Sequence, residues 1–405
     1  MTAVDELDRS SVGTSTSESA IGAWPFFADD EVETVVRVLR SGKVNYWTGD
    51  EGRLFEKEFA AFVGCDHAVA LVNGTAALEC ALKALGVGPG DEVITTSRTF
   101  IASASSAVMV GAHPVFADVD RDSQNITAAS IERVLTPRTK AIVAVHLAGW
   151  PCEMDEILAL AHERGIKVVE DCAQAHGATY KGRPIGSLGD VAAFSFCQDK
   201  IMTTAGEGGM VTTNSAELWN AMWSLKDHGK SYDAVYHREH APGFRWLHES
   251  FGTNWRLSEV QSAIGRVQLR KLSRWLFIRR AHAQMLTDEC VKLPGLRVTV
   301  PANHVEHAYY KYYVFVRPEM LLPGWTRDRI IAAIQAEGVP CFSGSCSEIY
   351  LEKAFPAEWR PEERLPVARE LGETSLMFLV HPTLKPEQIA RTCEVLKQVM
   401  HEATK

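Results

Sequence analysis

The chain has 405 residues, 46% of them hydrophobic, and a net charge of −9. That length supports a sizeable core and, at about 100–200 residues per domain, two domains. No basic block marks a nucleic-acid surface, no apolar run reaches the ~18 residues of a membrane span, and no charged segment followed by an apolar one opens the chain as a secretory signal, so a cytoplasmic protein is expected.

Residues 1–22 are mostly Ser, Thr, Asp and Glu, the composition of a disordered tail. Order is expected from about Trp24. Asp29 or Asp30 can cap a helix whose apolar positions are Val32, Val35, Val36 and Leu39, ended by Gly42. A second short amphipathic helix covers 54–62. A repeated alternation follows. HAVALV (67–72) reads as a strand and 76–85 as a helix; DEVITTS as a strand and 102–110 as a helix; PVFADV as a strand and 130–135 as part of a helix; AIVAVH as a strand and 154–164 as a helix stopped by Gly165; KVVED as the next strand. Short apolar strands alternating with helices imply parallel pairing and an α/β fold. VAAFSF and GMVTT then follow with only a loop between them, which predicts a mixed sheet at that point. Beyond Leu257 the character changes: a long helix over 258–287, the strand YYKYYVFV (309–316), and helices over 327–337 and 386–399. The expected organisation is a tail (1–22), a large domain (23–275) and a smaller α+β domain (276–405). Nine cysteines, an odd number without a Cys-x-x-Cys, suit reduced thiols, and the paired spacing of a zinc site is missing, so no metal is expected. Cys341 and Cys346 lie close together in a Ser/Gly loop.

The chemistry concentrates in VVEDCAQAHGATYKGRPIGSLGDVAAFSFCQDKIMTTAGEGGMVTT, residues 168–213. One apolar strand ends in Asp171, the next in Ser195, and Lys200 precedes a Gly-rich turn. Strand ends of this kind are where α/β proteins bind ligands. A pyridoxal phosphate site needs an amine to bond its aldehyde, an anion facing its pyridine nitrogen and donors for its phosphate. Alternation along the strand turns Glu170 to the opposite face from Asp171. Upstream, Asn73-Gly74-Thr75-Ala76 links a strand to a helix. Gly74 permits the turn, and Thr75 and Ala76 then offer N–H groups to an anion; an ordinary turn capped by Thr75 gives the same pattern. Gln174 lies one turn beyond Asp171, within reach of a ring bound there or of the surface.

In chain order, NGTAAL, TFIASA, VHLAGWPCEMDEI, EDCAQAHGA, GDVAAFSF with Lys200, GEGGMVTT, DHGK and GTNWRLSEVQSAIG resemble the DegT/DnrJ/EryC1/StrS aminotransferases over about 24–400. The resemblance implies a fold type I pyridoxal 5'-phosphate enzyme, with a mostly parallel seven-stranded sheet in the large domain. It implies transfer of an amino group from glutamate or glutamine to a keto sugar, most often nucleotide-linked, with pyridoxamine phosphate (PMP) as the amino-carrying form of the cofactor. Lys200 matches the lysine that carries the cofactor and moves the proton. Asp171 matches the pyridine-nitrogen partner, Gln174 and Phe100 the residues against the two ring faces, and Thr75, Ala76 and Ser195 the phosphate donors. Asn254 matches an asparagine that reaches the neighbouring subunit's cofactor, which implies a homodimer. Members that replace the lysine with histidine run a dehydration; Lys200 favours transamination. His176 falls near the site without a role. Rival readings are a cyclitol or aminoshikimate-type ketone as acceptor, a sugar dehydratase, and a non-catalytic regulatory relative. The chain departs from the family pattern at Trp150-Pro151, in 240–252 and in 341–355. Substrate contacts are expected in those two loops and at Tyr309 and Lys311, with Arg245, His248 and Lys311 as cations for a diphosphate or a carboxylate.

Overall fold

A computed structural model describes residues 22–404; all of the expected tail but Gly22 lies outside them. Helix α1 (Asp29–Ser41) is followed by α2 (Glu51–Val63), β1 (His67–Leu71), α3 (Gly74–Ala84), β2 (Glu92–Thr96), α4 (Ala102–Met109), β3 (His113–Ala117), α5 (Ala128–Glu132), β4 (Thr139–Val145), α6 (Met154–Arg164) and β5 (Lys167–Asp171). A small hairpin of β6 (Thr179–Tyr180) and β7 (Arg183–Pro184) precedes β8 (Val191–Ser195), β9 (Gly209–Thr213), α7 (Ala216–Lys226) and α8 (Tyr232–Tyr236). The seven-stranded sheet runs β1-β9-β8-β5-β4-β2-β3. β9 is antiparallel to both neighbours, β1 and β8, and the other pairs are parallel. The β8–β9 connection, residues 196–208, contains no helix to cross over the sheet, and the pair is antiparallel.

The sheet is covered on both faces, as a parallel sheet must be. Alternate residues of each strand enter different cores. Ala68, Ala70, Ile142, Ala144 and Val168 join one face with Phe55 and Phe59 of α2 and Ile157 of α6. Val69, Leu71, Val143, Val145 and Val169 join the other with Leu78 and Leu82 of α3 and Trp223 of α7.

Helix α9 (Glu259–Cys290) then runs 32 residues, capped by Ser258 Oγ accepting from Gln261 N. Leu272 and Leu276 pack in the first core, and Ala283, Leu286 and Cys290 in a second. That second core is closed by β10 (Leu296–Arg297), β12 (Tyr312–Val316), α10 (Arg327–Ala336), β13 (Cys341–Phe342), β14 (Ser375–Phe378) and α12 (Pro386–Ala403), in a sheet ordered β10-β12-β14-β13. β11 (Val305–Glu306) pairs with β6, and α11 (Pro366–Thr374) packs near β12.

Two local expectations are corrected. The residue capping α1 is Ala28, with Asp29 and Asp30 inside the first turn. The apolar positions Val32, Val36 and Leu39 are exposed, while Glu31 and Val38 are buried. Of the charged residues of α1 Glu31 alone is buried, its Oε2 2.6 Å from Nζ of Lys271 on α9, which lies equally close to the exposed Asp30 Oδ1.

Candidate active site

Four connections meet beyond the carboxyl ends of β1, β2, β5 and β8. After β1, Asn73 caps α3, and its Oδ1 accepts the Ala76 N–H at 2.8 Å. The Ala76 amide, expected as a free anion donor, is therefore already engaged, because an Asn cap satisfies one of the open N–H groups of the first turn. The N–H groups of Gly74 and Thr75 keep no acceptor among the described residues. A Cβ on Gly74 would stand 2.6 Å from Ser195 Cβ, and one on Gly209 2.3 Å from the Asn73 carbonyl oxygen. Three backbone segments thus approach one another more closely than any side chain allows, forming a small cradle with polar N–H and O–H groups.

Asp171 is the last residue of β5. It falls on the α3 and α4 face, and Glu170 on the opposite one, as alternation requires. Ser103 of α4 donates to Asp171 Oδ2 at 2.7 Å, and Ala173 N to Oδ1 at 3.1 Å. Burial raises the Asp171 pKa above the usual carboxylate range; the hydrogen bonds and the positive charge of Lys200 oppose it but do not cancel it. Behind it, burial also acts to raise Glu170, yet His146 and the Gly186 and Gly189 N–H groups outweigh it and hold Glu170 below its ordinary value. His146 accepts the Cys152 N–H at Nδ1, so its Nε2 carries the proton toward Glu170, 3.1 Å away. Glu170 is a strut that fixes the 186–189 turn beneath the strand end that presents Asp171.

After β8 the chain loops from Ser195 to Gly209, partners in the antiparallel ladder. Thr203 Oγ1 and Thr204 N both donate to Phe196 O, at 2.9 and 3.2 Å, and pin the turn that carries Lys200. The Lys200 side chain is 16% exposed, with Nζ 3.9 Å from Asp199 Oδ1 and 5.1 Å from the centroid of the Tyr310 ring. Trp24 Nε1 donates to the Lys200 carbonyl at 2.8 Å.

Gly74, Thr75, Phe100, Asp171, Gln174, Ser195 and Lys200 all line one cavity of about 820 Å³, whose lining also includes Tyr310, Lys311 and residues of the 342–352 loop. Phe100 is 67% exposed, so one ring face is free for a partner. Gln174 Oε1 accepts the Ala148 N–H at 2.7 Å, which leaves its amide nitrogen as the donor. Ala76 and Asn254 are not among the lining residues; Asn254 is exposed, its backbone bridged to Asp227. Arg245 and His248 are exposed outside the cavity, and Tyr309 stacks on His307 with centroids 3.9 Å apart. Of the expected substrate cations, Lys311 alone lines the cavity. His176 is buried against Phe194 and Phe196, and burial, with Lys200 nearby, pushes its pKa down to about 3; it is a neutral core residue. Ser103, Tyr310 and Trp24 were not singled out by sequence. Ser103 sits inside TFIASA, but nothing in that motif tells which of its residues meets Asp171.

The donor set fits pyridoxal 5'-phosphate. A cradle that only glycine permits lies beside Thr75 and Ser195, a buried carboxylate is held in place, an aromatic face is free, and an amine shares the same cavity. Bound there, the cofactor supplies an aldehyde carbon that takes up amines and a pyridine ring that accepts electrons from the carbon undergoing proton exchange.

Comparison with known proteins agrees with this geometry. The family model described as the DegT/DnrJ/EryC1/StrS aminotransferase family matches residues 26–397. The chain is 38% identical over 359 residues to a UDP-N-acetyl-3-dehydro-alpha-D-glucosamine 3-aminotransferase of Acidithiobacillus ferrooxidans, covering 87% of this chain and 89% of the relative. It is 39% identical over 364 residues to a GDP-perosamine synthase of Caulobacter vibrioides, covering 87% and 92%. The crystal structure of an aminotransferase from Psychrobacter cryohalolentis superimposes with a TM-score of 0.93 at 57% identity, covering 95% of this chain and 99% of that one.

Proposed function

The chain belongs to the DegT/DnrJ/EryC1/StrS aminotransferase family, and from that membership we infer that it moves an amino group from glutamate or glutamine to a nucleotide-linked keto sugar. Its enzymatic class is that of a pyridoxal phosphate-dependent transaminase. The observation that carries the sugar assignment is the pairing of an intact Lys200–Asp171 site with relatives whose names specify UDP- and GDP-linked sugars.

The roles proposed for the residues are supported by their shared place in one cavity. Thr75, Ser195 and the open N–H groups at the start of α3 hold the phosphate, since a helix N-terminus attracts an anion. Asp171 would lie opposite the ring nitrogen, where its buried carboxylate would favour that nitrogen's protonated form. Phe100 and Gln174 would hold the ring between them and fix its orientation toward Lys200. Lys200 Nζ takes the proton from Cα of the amino donor, and returns a proton to the carbon that was the ketone of the acceptor.

The assembly proposed is a homodimer in which Asn254 serves the neighbouring site. Its support is Asn254's exposure outside its own cavity, together with exposed Phe244, Trp246 and Phe251 on the adjoining loop, an apolar patch of the kind that interfaces bury. To test the function, the reconstituted enzyme is given glutamate with a panel of UDP-, dTDP- and GDP-linked 3-keto and 4-keto sugars and with cyclitol ketones. Mass spectrometry should find an amino sugar and an equal amount of 2-oxoglutarate with one nucleotide sugar. Amination of a cyclitol ketone alone would overturn the sugar assignment.

A further inference from the structure

The cavity holds a second lysine that the mechanism above does not use. Lys311, at the entry to β12, places its Nζ 4.7 Å from the centroid of the Tyr310 ring, the ring that Lys200 Nζ approaches to 5.1 Å. Both ammonium groups therefore stand beside one aromatic ring in one cavity. Their surroundings are unbalanced. The hydroxyl of Tyr310 donates to Asp199 Oδ2, and the other oxygen of that carboxylate lies 3.9 Å from Lys200. Lys311 has no hydrogen bond or ion pair among the described residues. Behind Tyr310 lies a third cation, Arg279, 1% exposed, whose Nη1 donates to the Tyr309 and Tyr310 carbonyls while Nε and Nη2 find no partner among the described residues. Three cations thus gather around a single shared carboxylate, and an ammonium taken out of water without a counter-ion is costly. Burial, with Arg279 and Lys200 adding to it against Asp199, brings the Lys311 pKa down to about 8. An anion entering the cavity would supply Lys311 with the counter-charge it lacks.

We propose that Lys311 binds a carboxylate of the substrate and so positions the reacting carbon against Lys200. The inference rests on the transaminase reading. The choice of carboxylate rests on reach: both Nζ atoms lie within 5.1 Å of one ring centroid, a span that an amino or keto acid can bridge between its carboxylate and its reacting carbon. A single ammonium also matches a singly charged group. The carboxylate comes either from the amino donor or from an acceptor sugar that carries one.

The test uses the holoenzyme with Lys311→Met, which keeps the length of the chain, and Lys311→Arg, which keeps the charge. Each is first checked for wild-type melting temperature and cofactor content. With the donor as source, Lys311→Met raises KM for glutamate about ten- to hundredfold, the loss expected for a desolvated charge pair, leaves KM for the keto sugar unchanged, and Lys311→Arg restores most of it. With the acceptor as source, the rise appears only with sugars bearing a carboxylate. Glutarate, which cannot react, is titrated calorimetrically in parallel; it should bind the wild type and not Lys311→Met. Unchanged KM values for both substrates, or equal glutarate binding, in a folded Lys311→Met variant would overturn the proposal. A wild type that binds glutarate through Lys311 but turns over no donor would instead count against the transaminase reading and leave Lys311 as a carboxylate site.

Discussion

Replacing Gly74 with Ala tests the cradle more sharply than any change to a charged residue. Gly74 opens α3 in an ordinary helical conformation, so Ala brings no backbone strain and is the better helix former. The whole penalty is steric. The new Cβ would meet Ser195 Cβ at 2.6 Å, Ser195 Oγ at 3.0 Å and Ser195 Cα at 3.2 Å, whereas ordinary contact begins near 3.4 Å. Ser195 cannot yield easily, because β8 is hydrogen-bonded to β5 on one side and to β9 on the other. The start of α3 must therefore move by most of an ångström. Overpacking of this size costs about 1–3 kcal/mol, and the helix gain offsets a few tenths of that. The same displacement carries the open N–H groups away from the phosphate, so cofactor affinity should fall about tenfold or more, the equivalent of about 1.4 kcal/mol. Urea unfolding of the apoprotein and absorbance titration with pyridoxal phosphate read the two effects separately. Adding Ser195→Gly removes the opposing Cβ, so stability should recover in the double variant, giving a coupling well above additivity. A Gly74→Ala protein as stable as wild type, binding the cofactor within about twofold, would refute the steric account of the cradle.

Four further outcomes are expected. Lys200→Ala should abolish turnover while the melting temperature stays within a few degrees, since its side chain makes only the long contact to Asp199 and the ring contact to Tyr310; measurable turnover would remove Lys200 from the chemistry. Ser103→Ala takes a charge-assisted hydrogen bond from Asp171, a loss of about 1.5–3 kcal/mol with the carboxylate ionised. Because the folded pKa of Asp171 is already raised and rises further in the variant, protonation favours the folded form, and the stability gap between the two proteins should be full above both folded pKa values and shrink as pH falls through them; a gap that does not change with pH in apoprotein unfolding would contradict this. Trp24→Phe keeps the ring but loses the donor to the Lys200 carbonyl, so stability should drop by about 1 kcal/mol and kcat severalfold with KM little changed; an unaltered kcat would mean the strap does not position Lys200. Mixed dimers of Lys200→Ala and Asn254→Ala subunits should recover one working site of the two, which neither parent has; no recovery would place Asn254 in its own subunit's site or outside any.

The sequence carried more of this protein than its local patterns alone suggest. Strand and helix alternation, the mixed pairing of β8 with β9, and the separation of Glu170 from Asp171 follow from periodicity and connection length, which are properties of neighbouring residues. Gly74 and Lys200 were legible because turns and strand ends leave compositional marks. Other features required the fold. Ser103 meets Asp171 across 68 residues, and Trp24 meets Lys200 across 176, distances over which no period carries information; only the strand order β5-β4-β2 and the return of α9 beneath α1 bring them together. The amide of Ala76 looked free until the Asn73 side chain took it. The apolar stripe of α1 reads as a core face, yet Val32 and Val36 are exposed and Glu31 is buried against Lys271, 240 residues away. Lys311 reads in the sequence as one of three cations for a diphosphate or a carboxylate, and the fold set it apart from Arg245 and His248 by placing it beside Tyr310 in the cavity. Sequence determines what each residue can do locally, and tertiary structure decides which of those capacities remain open, because every buried polar group must find its partner wherever the fold brings one.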